Sequence, residues 1–192
     1  MYQKGNNELS IIAMYTSNYH AEFYLRQISR MSGIPVKTVH NTLAILEQNR
    51  ILKGKMDGKN KYFTLNLENI ETKSYLLKSE IFKMDNFIKS YPKFNLFMKS
   101  LSTNTPLILF GSYAKFKPDK FSDVDMLIIA DKEPDLPFSL LPFRFHNITM
   151  PEETFAKALI DKETLIEEIK ENHIILNNHS FYVNMMWVQN AR

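Results

Sequence analysis

The chain contains no cysteine, which excludes a disulfide framework and any thiolate-bound zinc site and is compatible with a reducing compartment. It has no apolar stretch approaching the ~18 residues that a membrane span needs. The apolar run Ile11 to Tyr15 is shorter than the ~7–15-residue core of a signal peptide. Internal repeats and low-complexity tracts are also missing. The expectation is a soluble cytoplasmic protein with no membrane partner. What is there is 192 residues, 44% hydrophobic, enough to bury one large or two small cores, and average domain size leans towards two.

Charge is uneven along the chain. Residues 1–66 carry nine Lys/Arg (Lys4, Arg26, Arg30, Lys37, Arg50, Lys53, Lys55, Lys59, Lys61) against four acids, a net +5, while the remainder is −2. Such an asymmetry marks the N-terminal third as a candidate nucleic-acid binder. Leu9, Ile12, Ala13 and Thr16 fit one helix face, and Leu25, Ile28 and Met31 fit a second short helix that stops at Gly33. Ile34-Pro35 restarts the chain, and Val36, Val39, Leu43 and Leu46 form an apolar stripe at helical spacing. Two helices joined by a tight glycine-containing turn read as a helix-turn-helix. Ile51 to Met56 and Lys61 to Leu65 then read as two strands around Asp57-Gly58, a hairpin signal that supplies the wing of a winged helix. On this reading Lys37, Thr38, His40 and Asn41 face a major groove, and Lys53, Lys55, Lys59 and Lys61 lie along phosphates. A solvated basic face used for protein contacts is the alternative.

Asn66 to Ser90 reads as one long helix whose apolar residues Ile70, Leu77, Ile81, Met84 and Ile88 form a continuous stripe. That stripe packs either on the chain's own domains or in a homodimer seam. Pro92 closes the element, and Phe94, Phe97, Met98 and Leu101 suggest a further helix.

The densest chemistry follows. Gly111-Ser112 and Asp123-Val124-Asp125 are set between the apolar runs Leu107 to Phe110 and Met126 to Ile129. In a strand, residues i and i+2 share a face, so Asp123 and Asp125 converge while Val124 turns to the core. Two adjacent carboxylates repel each other unless they share a divalent cation, and oxygen ligands suit Mg²⁺ or Mn²⁺. Gly111 lets a backbone approach a ligand closely, and Ser112 opens a short helix whose free N–H groups favour phosphate. The two halves fit one ligand, a metal-bound nucleoside triphosphate. A surface hairpin with an acidic rim would explain the same turn, but half-exposed sheets alternate apolar and polar residues. The unbroken run from Met126 to Ile129 suits a central strand instead.

The stretch Phe110-Gly-Ser-Tyr-Ala-Lys115 with Phe121-Ser-Asp-Val-Asp-Met-Leu-Ile128 resembles the signature of the minimal nucleotidyltransferases of the DNA polymerase β superfamily. The resemblance implies an α+β chain: a winged helix over residues 1–66, a helical spacer over 67–103, and a nucleotidyltransferase domain over 104–192 with a mixed β-sheet flanked by helices. Fused proteins of this order are common in archaea. It further implies that Gly111, Ser112 and Lys115 bind the triphosphate, and that Asp123 and Asp125 bind metal and are catalytic. Phe116 stands where a glycine commonly follows the Ala-Lys pair. Glu168 to Leu176 is similar to the helix-to-strand ending of the same group.

Members that catalyse transfer usually carry a third acid on a later strand, where it holds metal and helps deprotonate the attacking hydroxyl. The corresponding strand, Phe143 to Met150, has none. His146 or Asn147 stands at that place, and Asp131, Glu133 or Asp135 is a candidate replacement from the loop. Three functions follow: a nucleotidyltransferase acting on a hydroxyl of a protein, nucleic acid or small molecule; a catalytically weak or inactive nucleotide-responsive transcription regulator; and an antitoxin-like module that modifies or masks a second protein.

Overall fold

The computed structural model describes residues 6–191, so Lys4 of the basic N-terminal third lies outside the described residues. The chain divides into two compact units, Met1–Phe82 with Trp187–Arg192, and Lys83–Met186. The division falls within the segment 67–103. Among the described residues no helix is long and apolar enough to cross a membrane.

In the first unit, α1 (Asn7–Ile12) runs into a single 3₁₀ turn (Ala13–Tyr15). Its buried side chains are Ile11, Ile12, Tyr15 and Thr16, while Leu9 and Ala13 of the expected face are half-buried. Tightening into 3₁₀ geometry brings Tyr15 inward, and its hydroxyl donates to the Phe63 carbonyl at 2.9 Å. After β1 (Phe23–Tyr24), a two-residue strand too short to leave a periodic signal, come α2 (Leu25–Ser32) and α3 (Val36–Gln48). Gly33 takes φ +70° and donates its N–H to the Ser29 carbonyl at 3.0 Å. A residue without Cβ enters this left-handed cap at no steric cost, and α2 ends there. The buried face of α3 is Val39, Thr42, Leu43 and Leu46, with Val36 exposed at the first turn. β2 (Leu52–Asp57) and β3 (Asn60–Leu65) pair antiparallel from Asp57↔Asn60, leaving Gly58-Lys59 as the loop with Gly58 at φ +56°. The sheet order is β1-β3-β2.

The long helix differs from its expected form in two ways. It begins at Ile70 rather than Asn66, as α4 (Ile70–Ser90). The Asn69 side chain accepts the Glu71 N–H at 3.0 Å in the manner of an N-cap, and the Asn66 amide turns back to the Arg50 carbonyl at 2.8 Å. Its buried face is Thr72, Leu76, Ser79, Glu80 and Phe87, whereas Ile70 and Ile81 are exposed. At Thr72 hydrophobicity alone misleads because a buried hydroxyl is tolerable once bonded. The Thr72 hydroxyl donates to the Asn66 carbonyl at 2.8 Å. Met84 and Ile88, the last members of the expected stripe, pack on the core of the second unit.

That core gathers Phe87, the two phenylalanines Phe94 and Phe97 of α5 (Phe94–Ser100), and one face of a mixed sheet. Strand order is β6-β5-β4-β7, from β4 (Leu107–Phe110), β5 (Val124–Ile129), β6 (Phe145–Met150) and β7 (Ile174–Asn177). β4 runs antiparallel to β5 and β7, and β5 parallel to β6. Leu107, Leu109, Val124, Met126 and Ile128 join the aromatic core, and Ile108, Leu127 and Ile129 on the alternate positions are buried as well. The continuous apolar runs are therefore central strands buried on both faces, as their composition indicates. α7 (Glu152–Asp161) and α8 (Thr164–Glu171) fill the connection from β6 to β7, and α9 (His179–Asn190) follows.

Candidate functional site

β4 ends at Phe110, and the next residue bends the chain into α6 (Gly111–Ala114). Gly111 has φ +67°, and a Cβ built there would run into the carboxylate of Asp125. Glycine is thus required twice, by its left-handed backbone and by the oxygen packed against it. The register explains the proximity, since Phe110 lies opposite Asp125. Gly111, far from Asp125 along the chain, becomes its neighbour because β4 and β5 pair. Asp123 precedes β5 by one residue and is exposed, whereas the Asp125 side chain is only 27% exposed.

On the other side of Asp125 stands β6, with Asp125 paired to His146. His146 Nδ1 and Asp125 Oδ1 are 3.1 Å apart. A carboxylate only accepts, so Nδ1 carries the hydrogen and Nε2 of a neutral ring is left as the acceptor. This separates the two residues between which the sequence does not choose. Asn147 pairs with Met126 on the core face, where its Oδ1 is buried without a hydrogen-bond partner among the described residues. The loop acids Asp131, Glu133 and Asp135 are exposed and lie beyond Ile129. Among the described residues none of them joins Asp123 and Asp125 in a group of three that could hold a metal.

Lys115 forms an ion pair with Glu168 of α8 at 3.2 Å, both side chains being well exposed. Pairs of this kind contribute about 0–1 kcal/mol, which leaves the ammonium able to exchange partners. The loop after it departs from the sequence pattern in an informative way. Phe116, where glycine is common, adopts φ +55°, the conformation glycine would take without strain. A non-glycine residue there costs about 1–2 kcal/mol. The Phe116 ring lies 6.0 Å from the ring of Tyr91 and 6.1 Å from that of Phe87, and this packing offsets the strain.

A further set of side chains is not apparent from the motif. A cavity of about 370 Å³ beside Asp123 is walled by Tyr113, Lys120, Phe121, Phe143 and Arg144. Burial, then Tyr91, then the charge of Asp123 hold the Tyr113 hydroxyl above its ordinary pKa. The one available signal is Phe121, an aromatic residue directly before Ser-Asp-Val-Asp.

Oxygen donors from Asp123 and Asp125, with a close backbone approach at Gly111, suit a hard divalent cation. Imidazole does not favour Mg²⁺. Among the described residues no group of three or more His, Cys, Asp or Glu is gathered closely enough to hold a metal. Mg²⁺ commonly takes one or two carboxylates and completes its shell with water and substrate phosphates, so two aspartates fit it in the presence of a triphosphate.

In the first unit, Lys37, His40 and Asn41 of α3 are exposed and Thr38 is half-buried. A groove of about 660 Å³ between α3 and the β2–β3 hairpin brings together His40, Lys59 and Lys61 with Glu47. Lys61 is bonded to Glu47 at 2.7 Å, and Lys53 to Glu68 at 2.9 Å. Lys55 and Lys59 are exposed and make no ion pair among the described residues. Of the four hairpin lysines, these two are the cations without a competing carboxylate there.

β4, the turn at Gly111, and β5 with Asp123 just before it and Asp125 within it lie together in the second unit. Residues 92–180 match the family model of the nucleotidyltransferase domain, a span running from just before α5 to the start of α9. No curated protein and no solved structure matches the chain.

Proposed function

We propose that the second unit is a nucleotidyltransferase that binds a metal-bound nucleoside triphosphate and transfers its nucleotidyl group to a hydroxyl acceptor. The observation that carries this reading is Gly111, whose positive φ and missing Cβ admit the Asp125 carboxylate to the phosphate-holding turn. The backbone at Gly111 and Ser112 holds the triphosphate, aided by Lys115, while Asp123 and Asp125 hold Mg²⁺ or Mn²⁺. A divalent cation bound there neutralises charge that develops on the triphosphate. The acceptor oxygen attacks the α-phosphorus, the α–β phosphoanhydride bond breaks, and pyrophosphate leaves. His146 takes the proton at Nε2, with its ring held by Asp125 through Nδ1, an arrangement suited to a general base. Pyrophosphate release from ATP, GTP, CTP or UTP with Mg²⁺ or Mn²⁺ tests the reading. His146→Asn should lower kcat about a hundredfold with nucleotide affinity unchanged, within the range of general-base effects; an equal turnover would remove His146 from the mechanism.

A second reading has one observation in its favour, the imidazole in place of a third acid. On it, the unit binds nucleotide with little turnover and reports its occupancy to a DNA-binding unit. Metal-dependent nucleotide binding with no pyrophosphate release across a broad acceptor screen would select it.

For the first unit we propose a DNA-binding winged helix, with Lys37, Thr38, His40 and Asn41 of α3 toward the groove and Lys53, Lys55, Lys59 and Lys61 along the backbone. The order helix, short strand, two helices and hairpin supports this. Because Lys55 and Lys59 have no ion-pair partner among the described residues, their joint replacement by alanine should weaken DNA binding. The slope of log affinity against log salt should fall by about 2, one for each phosphate that is no longer neutralised. Equal affinity and slope in a mobility-shift titration would exclude the hairpin from the interface.

A further inference from the structure

The cavity beside Asp123 has a composition that the phosphate and metal grip does not use. Phe121 forms part of its wall with 77% of its surface exposed. A single exposed phenylalanine is ordinary on a protein surface; this one is held in place. The Asp119 carboxylate accepts the Phe121 N–H at 2.8 Å and the Ser122 hydroxyl at 3.0 Å. The Ser122 hydroxyl oxygen in turn accepts the Asp119 N–H at 2.9 Å. These bonds, that from Phe121 foremost, hold the Asp119 carboxyl below its ordinary pKa, and they tie the backbone of the turn at Phe121 and Ser122. Lys120 Nζ lies 4.7 Å from the ring centroid. Arg144, at the approach to β6, supplies a second cation, and Tyr113 and Phe143 complete an aromatic wall with ring centroids 5.4 Å apart.

Aromatic faces and cations beside a carboxylate that would take a metal triphosphate match a polyanion carrying a flat, electron-rich ring. We propose that this cavity receives the base of the bound nucleotide, with Phe121 as its stacking platform. The assignment rests on the nucleotide-binding reading above and deepens it. Stacking of a base on an aromatic side chain is sequence-tolerant, because every base has a π-face. It therefore gives affinity for nucleoside triphosphates over inorganic polyphosphate more than it gives choice among bases.

The test compares ATP with inorganic tripolyphosphate, each with Mg²⁺, by calorimetry on the full chain. The unaltered protein should bind ATP the more tightly. Phe121→Ala should weaken ATP about five- to a hundredfold, the range that alanine substitution at a stacked base produces, and leave tripolyphosphate unchanged. Phe121→Trp should retain ATP binding, and its fluorescence should be quenched by ATP and not by tripolyphosphate. The exposure of Phe121 makes a folding defect an unpromising explanation, and circular dichroism of the variants checks it. Unchanged ATP affinity in Phe121→Ala overturns the proposal, and if turnover falls at the same time the cavity belongs to the acceptor. Equal weakening of both ligands also overturns it. If neither ligand binds the unaltered protein, the nucleotide reading itself falls and takes this assignment with it.

Discussion

Asp123→Ala should release no measurable pyrophosphate while melting within about a degree or two of the unaltered protein. Its carboxylate is exposed and precedes β5, so its loss leaves no cavity and no unpaired buried group, and surface substitutions of this type change stability by about 0.5 kcal/mol or less. On the proposed metal-assisted transfer the effect on chemistry is large, because one of the two proposed oxygen donors disappears. Lewis-acid stabilisation of a transferring phosphoryl group contributes several kcal/mol. About 4 kcal/mol corresponds to a loss near a thousandfold in rate. Chelation of the metal should reproduce the defect in the unaltered protein, and Mg²⁺ should restore only the latter. Turnover in Asp123→Ala within tenfold of the unaltered protein would remove metal-assisted transfer at this site.

Gly111→Ala should lose both activity and stability. Alanine at φ +67° costs about 1–2 kcal/mol, and its Cβ would overlap the Asp125 carboxylate, adding an overpacking cost of about 1–3 kcal/mol. The carboxylate has to move, and displacement of a positioned group by about 1 Å can lower a rate a hundredfold. Gly33→Ala is the matched control. It has a similar φ of +70° but nothing within 4 Å of its Cβ, so it bears the conformational cost alone. Thermal melts and pyrophosphate release on both variants separate the two effects: Gly33→Ala should lose stability and keep activity, whereas equal activity losses would show that the Asp125 contact is unimportant.

The legibility of the chain varies with the kind of signal. Gly33 and Gly58 end a helix and turn a hairpin because the backbone there needs a conformation that only glycine takes freely, and both can be read directly. The runs Leu107 to Phe110 and Met126 to Ile129 announce central strands, since continuous apolar character is stable only when both faces are covered. Helix α4 is harder, because its buried face includes Thr72, Ser79 and Glu80, and the burial of the Thr72 hydroxyl depends on a partner, the Asn66 carbonyl, that periodicity does not reveal. β1 escapes the sequence altogether, as two residues carry no pattern. Phe116 shows the converse case: a residue other than glycine takes a left-handed backbone, with its ring packed on Phe87 and Tyr91 from elsewhere in the chain.

By itself the sequence determined the local chemistry of this protein: a glycine turn, two aspartates on one side of an extended segment, and a basic N-terminal third, all of which follow from residue type and spacing over a few positions. Only the tertiary structure decided which groups meet. Pairing of β4 with β5 set the Asp125 carboxylate against Gly111, and the parallel register of β5 with β6 put His146, and not Asn147 or a loop acid, against the same carboxylate. The reason is that strand register is fixed by which faces are buried across the whole sheet, and a shift of one residue would turn His146 to the core and Asn147 to the site.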